Sequence, residues 1–154
     1  MKAAEKNLLP TIPTDLAIVV GEIVIRFGEL ERALITALAR ITFEKEEEFI
    51  KEVGKHKVGD PLGPLVDRAK KELGGKYDWF NASYLKKLKD RRNSIHDALM
   101  QELDGSYIWQ SNSPQRPHRK VDYDELHSLR DDVIKTIIQI HNGSLKAKKE
   151  RIPW

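Results

Sequence analysis

The sequence predicts an all-α fold, a helical bundle of four to five helices with room for one small β-hairpin. Three observations predict it. Apolar residues recur at spacings of three and four over long stretches, the period of a buried helix face. Caps and breakers bracket those stretches, with Thr14 and Asp60-Pro61 at starts and Gly54, Gly74-Gly75 and Asn142-Gly143 at stops. The turn dipeptide Asp104-Gly105 stands between two short segments suited to strands. At 154 residues the chain is long enough for one domain with a real core.

Residues 1–13 read as an irregular leader, with Pro10 and Pro13 near its end. Thr14 suits a helix cap, and Asp15 is favourable in the first turn. Leu16, Val20, Ile23, Phe27, Leu30, Leu34, Leu38 and Ile41 then trace an amphipathic helix of about seven turns. Val19, Val24 and Ile25 widen the stripe, which predicts a central helix buried on more than one side. Gly21 and Gly28 permit close approach of another backbone, or a slight kink.

Glu44–Val53 suggests a short second helix, ended by Gly54. Asp60-Pro61 pairs a cap with a first-position proline for a third helix, which runs to Leu73 with Pro64 still in its first turn. A fourth begins near Asn81, with Leu85, Leu88, Ile95 and Leu99 on its apolar side. It either continues to about Leu103 or stops soon after His96, where Leu99–Leu103 and Ser106–Gln110 flank the Asp104-Gly105 turn as a hairpin. Residues 111–120 form a polar loop with two prolines. Asp122 starts a last helix, whose stripe is Leu126, Leu129, Val133, Ile137 and Ile140 and whose stop is Asn142-Gly143. The domain therefore spans 14–142, and 143–154 is a basic, frayed C-terminal tail.

Hydrophobic content of 40% and charged content of 33% describe a charge-rich globule, and a net charge of +3 is too mild to argue for nucleic acid alone. Its distribution says more. Acid gathers at Glu44, Glu46, Glu47 and Glu48, and base gathers at Lys86–Arg92, at Arg116–Lys120 and from Lys146 to Arg151. The absence of cysteine excludes disulfides and thiolate zinc sites. The N-terminus lacks an apolar signal core, and Leu16–Ile25 is broken by Gly21 and Glu22 and too short to span a bilayer. The expectation is a soluble, cytoplasmic protein with no membrane partner. His56, His127 and His141 show no metal-ligand spacing, and no glycine-rich phosphate loop or Gly-x-Ser-x-Gly element is present. Neither a metal nor a cofactor is expected.

The most informative run is Arg91-Arg92-Asn93-Ser94-Ile95-His96. Arginine is a fixed cation whose planar fork binds phosphate, and histidine exchanges a proton near neutral pH. Together they are the minimum kit for cutting a phosphodiester without a metal. On an ideal helix Arg92 and His96 share a face, whereas Arg91 lies about 140° from His96. Arg91 and His96 converge only if the helix distorts or ends nearby, or if a second subunit completes the site. The bland alternative is a solvated basic helix face. Two further sets are weaker. Glu29 or Glu31, in the segment FGELERAL, could reach the motif helix, or could be an ordinary structural ion pair. Arg116, His118, Arg119 and Lys120 lie near Tyr107 and Trp109, a pairing that suits RNA binding, though Ile108 and Trp109 equally suit packing of the hairpin.

The Arg91-to-His96 spacing, arginine then four residues then histidine, resembles the motif of the HEPN superfamily of small α-helical domains. The layout is similar too: a long first helix containing FGELERAL, the motif late in the penultimate long helix, a hairpin and a closing amphipathic helix, across residues 14–142. In the family pattern a polar residue, commonly Asn, Asp or His, follows the arginine; here Arg92 follows Arg91. Arg92-Asn93 matches the familiar Arg-Asn dipeptide but stands one residue too close to His96, so either arginine qualifies. The resemblance implies a homodimer that cleaves single-stranded RNA without metal and leaves a 2′,3′-cyclic phosphate. His96 would be general base or acid, Arg91 or Arg92 would stabilise phosphorane charge, and Asn93 would position the phosphate or the histidine. It also implies a toxin or phage-defence effector with a cognate antitoxin. Two alternatives keep the helices and drop the chemistry: a non-catalytic HEPN domain binding RNA, nucleotide or a partner nucleotidyltransferase, and a helical dimerisation protein.

Overall fold

The computed structural model describes residues 11–54, 61–111 and 118–151. Its elements in chain order are α1 (Thr14–Thr42), α2 (Glu46–Gly54), α3 (Leu62–Leu73), α4 (Ala82–Arg92), a 3-10 turn (Asn93–His96), β1 (Ala98–Gln101), β2 (Tyr107–Gln110), β3 (Arg119–Lys120) and α5 (Tyr123–Arg151). The fold is an all-α bundle with a small antiparallel sheet of order β1-β2-β3.

The long helices α1 and α5, of 29 residues each, are about 43 Å long and lie side by side. Their contacts show that they run parallel. The Tyr123 hydroxyl donates to Asp15 at 3.3 Å, Arg130 meets Glu22 at 3.7 Å, and Arg40 Nη1 donates to Ser144 Oγ at 3.0 Å. Between them and the shorter helices sits one core. It takes Leu16, Ile23, Phe27, Leu30, Leu34 and Leu38 from α1, Leu65, Val66 and Leu73 from α3, Leu85 and Leu88 from α4, and Leu129, Val133 and Ile140 from α5.

Local chemistry explains the ends. Asp15 Oδ1 accepts from the Leu16 amide at 3.0 Å in the first turn of α1. Phe43, in the left-handed region at φ 59°, closes that helix. Asn81 caps α4 by accepting from the Tyr84 amide at 3.0 Å, and Asp122 caps α5 by accepting from the Glu125 amide at 3.1 Å. Asp60, the expected cap of α3, lies outside the described residues. Arg68 ties α2 to α3: it meets Glu52 at 3.0 Å and Glu72 at 3.3 Å, and its guanidinium lies 5.4 Å from the centre of the Phe49 ring.

The hairpin forms around Asp104-Gly105, and α4 stops at Arg92 instead of running to Leu103. The Asn93 amide is shared between the Lys89 and Asp90 carbonyls, the step from α to 3-10 geometry. In the hairpin Leu99 pairs with Trp109 and Ala98 with Gln110. Gly105 adopts φ 87°, which suits glycine. Asp104 Oδ1 accepts from the Ser106 hydroxyl and amide, and those bonds hold its carboxyl below the usual carboxylate range. The short third strand was not legible in the sequence.

Two expectations are corrected. Val24 and Ile25 are 53% and 63% exposed, so they do not widen the buried stripe, although α1 is central and packs against α2, α3 and α5; only Val19 of the widening residues is in the core. And Asn142-Gly143 does not stop the last helix, which continues to Arg151, so most of the expected tail is helical. The physical reason is packing. A Cβ on Gly143 would lie 2.2 Å from Trp79 Cγ, so the glycine is where the indole lies directly on the α5 backbone. Arg40 donates to the His141 carbonyl at 3.0 Å as well as to Ser144, and Ser144 and Ala147 are buried. These contacts outweigh glycine's helix penalty of about 1 kcal/mol.

Gly143→Ala is therefore expected to destabilise the protein by about 1–3 kcal/mol in urea unfolding, although alanine is the better helix former. In a Trp79→Ala background the same change is expected to become neutral or stabilising.

Candidate functional site

Consecutive residues on a helix point about 100° apart, so Arg91 and Arg92 cannot share a partner surface. At the end of α4 they splay toward the two long helices. Arg91 turns to α5. Its Nε donates to Glu125 Oε1 at 2.7 Å and its Nη1 to Asp132 Oδ2 at 2.8 Å, with Ser128 Oγ 3.5 Å from Nη2. Glu125, Ser128 and Asp132 follow one another at spacings of three and four, which aligns them along one face of α5. Burial works against the Arg91 charge, but the bonds to Asp132 and Glu125 outweigh it and hold the guanidinium above the ordinary arginine value. With side chains 28%, 53% and 30% exposed, this cluster is worth only about 0.2–1 kcal/mol per pair.

Arg92 turns to α1. It is 8% exposed, and its Cζ lies 4.9 Å from the centre of the Phe27 ring. A cation over an aromatic face at this range contributes about 0.5–2 kcal/mol, more when desolvated. Both cations also sit at the negative end of α4, where the helix dipole favours them. The pair thus pins the end of one short helix against both long ones.

Beyond Arg92 the chain passes through Asn93–His96. In a 3-10 turn positions three apart lie over one another, which aligns backbone positions 93 and 96. Asn93 is half-buried. The side chains of Ser94 and His96 lie outside the described part of the structure. The motif therefore occupies a helix end, between α4 and the hairpin, instead of the middle of a continuous helix.

Sequence reasoning missed the partners. Glu29 pairs with Arg26 of its own helix at 2.8 Å, and the carboxylates that meet Arg91 come from α5. The only signal for Glu125 and Asp132 was their helical spacing, which does not say which cation they face. Arg116 lies outside the described residues. Arg119 and Lys120 are exposed on β3, where Arg119 pairs with Trp109 and Lys120 with Ile108. Trp109 and Ile108 are buried, and the Tyr107 hydroxyl donates to the Thr11 carbonyl at 3.0 Å. The aromatics beside the basic strand therefore anchor the hairpin and do not present a stacking platform. Tyr123 stands near Tyr107; burial and the neighbouring Asp15 carboxylate push its hydroxyl pKa up.

Among the described residues no helix is long and apolar enough to cross a membrane, and no cluster of three or more histidines and carboxylates is placed to hold a metal ion. Compared with protein-family models, curated proteins and solved structures, the chain matches none.

The two arginines are expected to behave differently on truncation. Arg92→Ala should lower stability by about 1–3 kcal/mol through lost packing over Phe27, and Arg91→Ala by less than about 1 kcal/mol, as read from urea midpoints.

Proposed function

We propose that this chain is an RNA-directed domain of HEPN type that cleaves single-stranded RNA without a metal. The observation that carries the reading is the position of Arg91–His96 at a helix end, where α4 gives way to a 3-10 turn and then a hairpin. Of the groups described there, Arg91 keeps part of its side chain open to solvent while Arg92 is buried. RNA supplies its own nucleophile in the 2′-OH. His96 takes the proton from that hydroxyl or gives one to the leaving 5′-oxygen, and in a homodimer two copies divide those roles. Asn93, one 3-10 turn before position 96, orients the phosphate or the imidazole.

The different burial of the arginines assigns them different parts in this reading. Arg91 keeps 28% of its side chain exposed and has the spacing to His96 that the family motif calls for, so it is the arginine given to the phosphate. Glu125, 53% exposed, is the partner a phosphate would displace. Arg92 is a positioning residue: from its buried place over Phe27 it fixes the start of the turn.

A second reading keeps the fold and removes the chemistry: a non-catalytic domain that binds RNA, a nucleotide or a protein partner. One observation favours the protein-partner form of it. Arg91 already serves two carboxylates, so its charge is satisfied within the chain before any phosphate arrives.

The experiment is incubation of a labelled single-stranded RNA with the protein in EDTA, beside His96→Ala and Glu125→Gln. Cleavage with cyclic-phosphate ends is expected, reduced at least about 100-fold in His96→Ala. Glu125→Gln, which removes the competing carboxylate, is expected to raise the rate or the RNA affinity. Undiminished cleavage by His96→Ala would sink the catalytic assignment. Salt-dependent RNA binding without cleavage would favour the second reading.

A further inference from the structure

Helix α4 runs antiparallel alongside the middle of α5, and two contacts fix it there. At one end Arg91 bonds to Asp132 at 2.8 Å. At the other the indole of Trp79, just before α4, lies on Gly143. The stretch of α5 from Asp132 to Gly143 is about 16 Å long at 1.5 Å per residue, and α4 has the same length. The outer crevice between the two helices therefore joins two places: the turn at Asn93–His96 and the loop at residues 76–79.

The loop end opens into a cavity of about 250 Å³, with Lys76, Tyr77, Trp79, Gly143 and Lys146 in its wall. The Tyr77 and Trp79 rings stand 5.0 Å apart, inclined by 31°, and both residues are half-buried. Packing on Gly143 accounts for Trp79. It does not account for a second ring open to the same cavity, flanked by two exposed lysines. The volume is below the ~300–1,000 Å³ of sites for drug-sized ligands and suits a single flat base. Aromatic faces with cations beside them hold single-stranded nucleic acid without reading its sequence.

The crevice continues this composition. On α4, Tyr84, Lys87 and Arg91 follow at spacings of three and four, so they share the face that Arg91 turns to α5. On α5, Gln139 and Lys146 fall on the line of Asp132 and Gly143, with Lys135 beside it. Tyr84, Lys87, Lys135, Gln139 and Lys146 are all exposed. Charge along the way is mixed. Glu125 and Asp132 are bonded to Arg91, Glu150 lies 4.0 Å from Lys146, and Asp78 also lines the cavity. Recognition here therefore rests on base stacking more than on phosphate charge.

We infer that the crevice between α4 and α5 is a track for single-stranded RNA, running from the turn at Asn93–His96 to a base-stacking pocket at Tyr77 and Trp79. The inference rests on the RNA-directed reading above and adds to it where the strand lies. A strand stacked at ~3.4 Å per nucleotide covers the crevice in about five nucleotides. The pocket thus takes a base within about five nucleotides of the phosphate at the turn.

The test is fluorescence anisotropy of a labelled RNA octamer on the full chain carrying His96→Ala, which keeps the strand uncut. Tyr77→Leu keeps apolar bulk and removes the ring; it should weaken binding at least about 10-fold, and Tyr77→Phe should stay within about 2-fold of the parent. Lys87→Gln, and Lys146→Gln on a side chain 80% exposed, should each weaken it by about 2- to 5-fold without touching the core. An octamer lacking all its bases should bind at least about 10-fold more weakly. A mononucleotide, which fills the pocket but not the crevice, should compete only at about 10-fold higher concentration or more. No RNA binding, binding indifferent to Tyr77→Leu, equal binding of the baseless octamer, or equal competition by the mononucleotide would each overturn the track. If the wild-type chain fails to cleave RNA while this pattern of binding holds, the catalytic reading is lost and the track is supported.

Discussion

The parallel packing of α1 against α5 is the constraint on which everything else rests. Two helices that run in the same direction cannot be joined by a short turn, so the chain between them must travel back along about 43 Å of bundle before α5 begins. The short helices, the 3-10 turn and the hairpin are that return path. Of these, α2 and α3 pack on α1 and α4 packs on α3 and α5, and the hairpin reaches the residues just before α1 through the Tyr107 hydroxyl and the Thr11 carbonyl. The seam itself is apolar in its depth and polar at its rim, with Asp15–Tyr123, Glu22–Arg130 and Arg40–Ser144 spaced along it. These rim contacts set the register of the two helices; burial of the apolar stripes supplies most of the free energy.

The twin arginines are where structure and chemistry compete for the same side chains. Arg92 is needed over Phe27 and Arg91 is held by Glu125 and Asp132, so both already have structural work at the end of α4. A short motif read from sequence alone cannot separate that work from catalysis, because either role selects an arginine at a helix C-terminus. The geometry does separate the two residues from each other. One is buried over an aromatic ring and one is partly exposed, and that difference underlies the roles proposed for them.

The outer face of α1 illustrates a limit of periodicity arguments. The apolar residues of α1 form two stripes, not one broad one. The first, through Leu16, Ile23, Phe27, Leu30 and Leu38, is filled by the other helices of the same chain. The second, through Ile18 and Ile25, faces outward and is 58% and 63% exposed at those residues. Both look alike in a hydrophobicity pattern, since the period of a stripe does not say whether another element covers it.

By itself the sequence determined the five helices and the place of the hairpin turn. The span of α1, the stop of α3 at Leu73, the cap at Asp122 and the turn at Asp104-Gly105 are all local: each depends on side-chain period, cap chemistry or φ preference within a few residues. Three matters were decided only in the tertiary structure. Asn142-Gly143 reads as a stop, yet the helix passes through it, because Trp79 from a distant loop lies on Gly143 and Arg40 bonds across to Ser144. Arg91 and Arg92 read as one basic cluster, yet they part toward Asp132 and Phe27, because the face each meets depends on where α5 and α1 were placed. Val24 and Ile25 read as core, yet they lie outside it, because the available partners pack on the other side of α1. In each case the deciding contact joins residues far apart in the chain, and no local pattern carries that information.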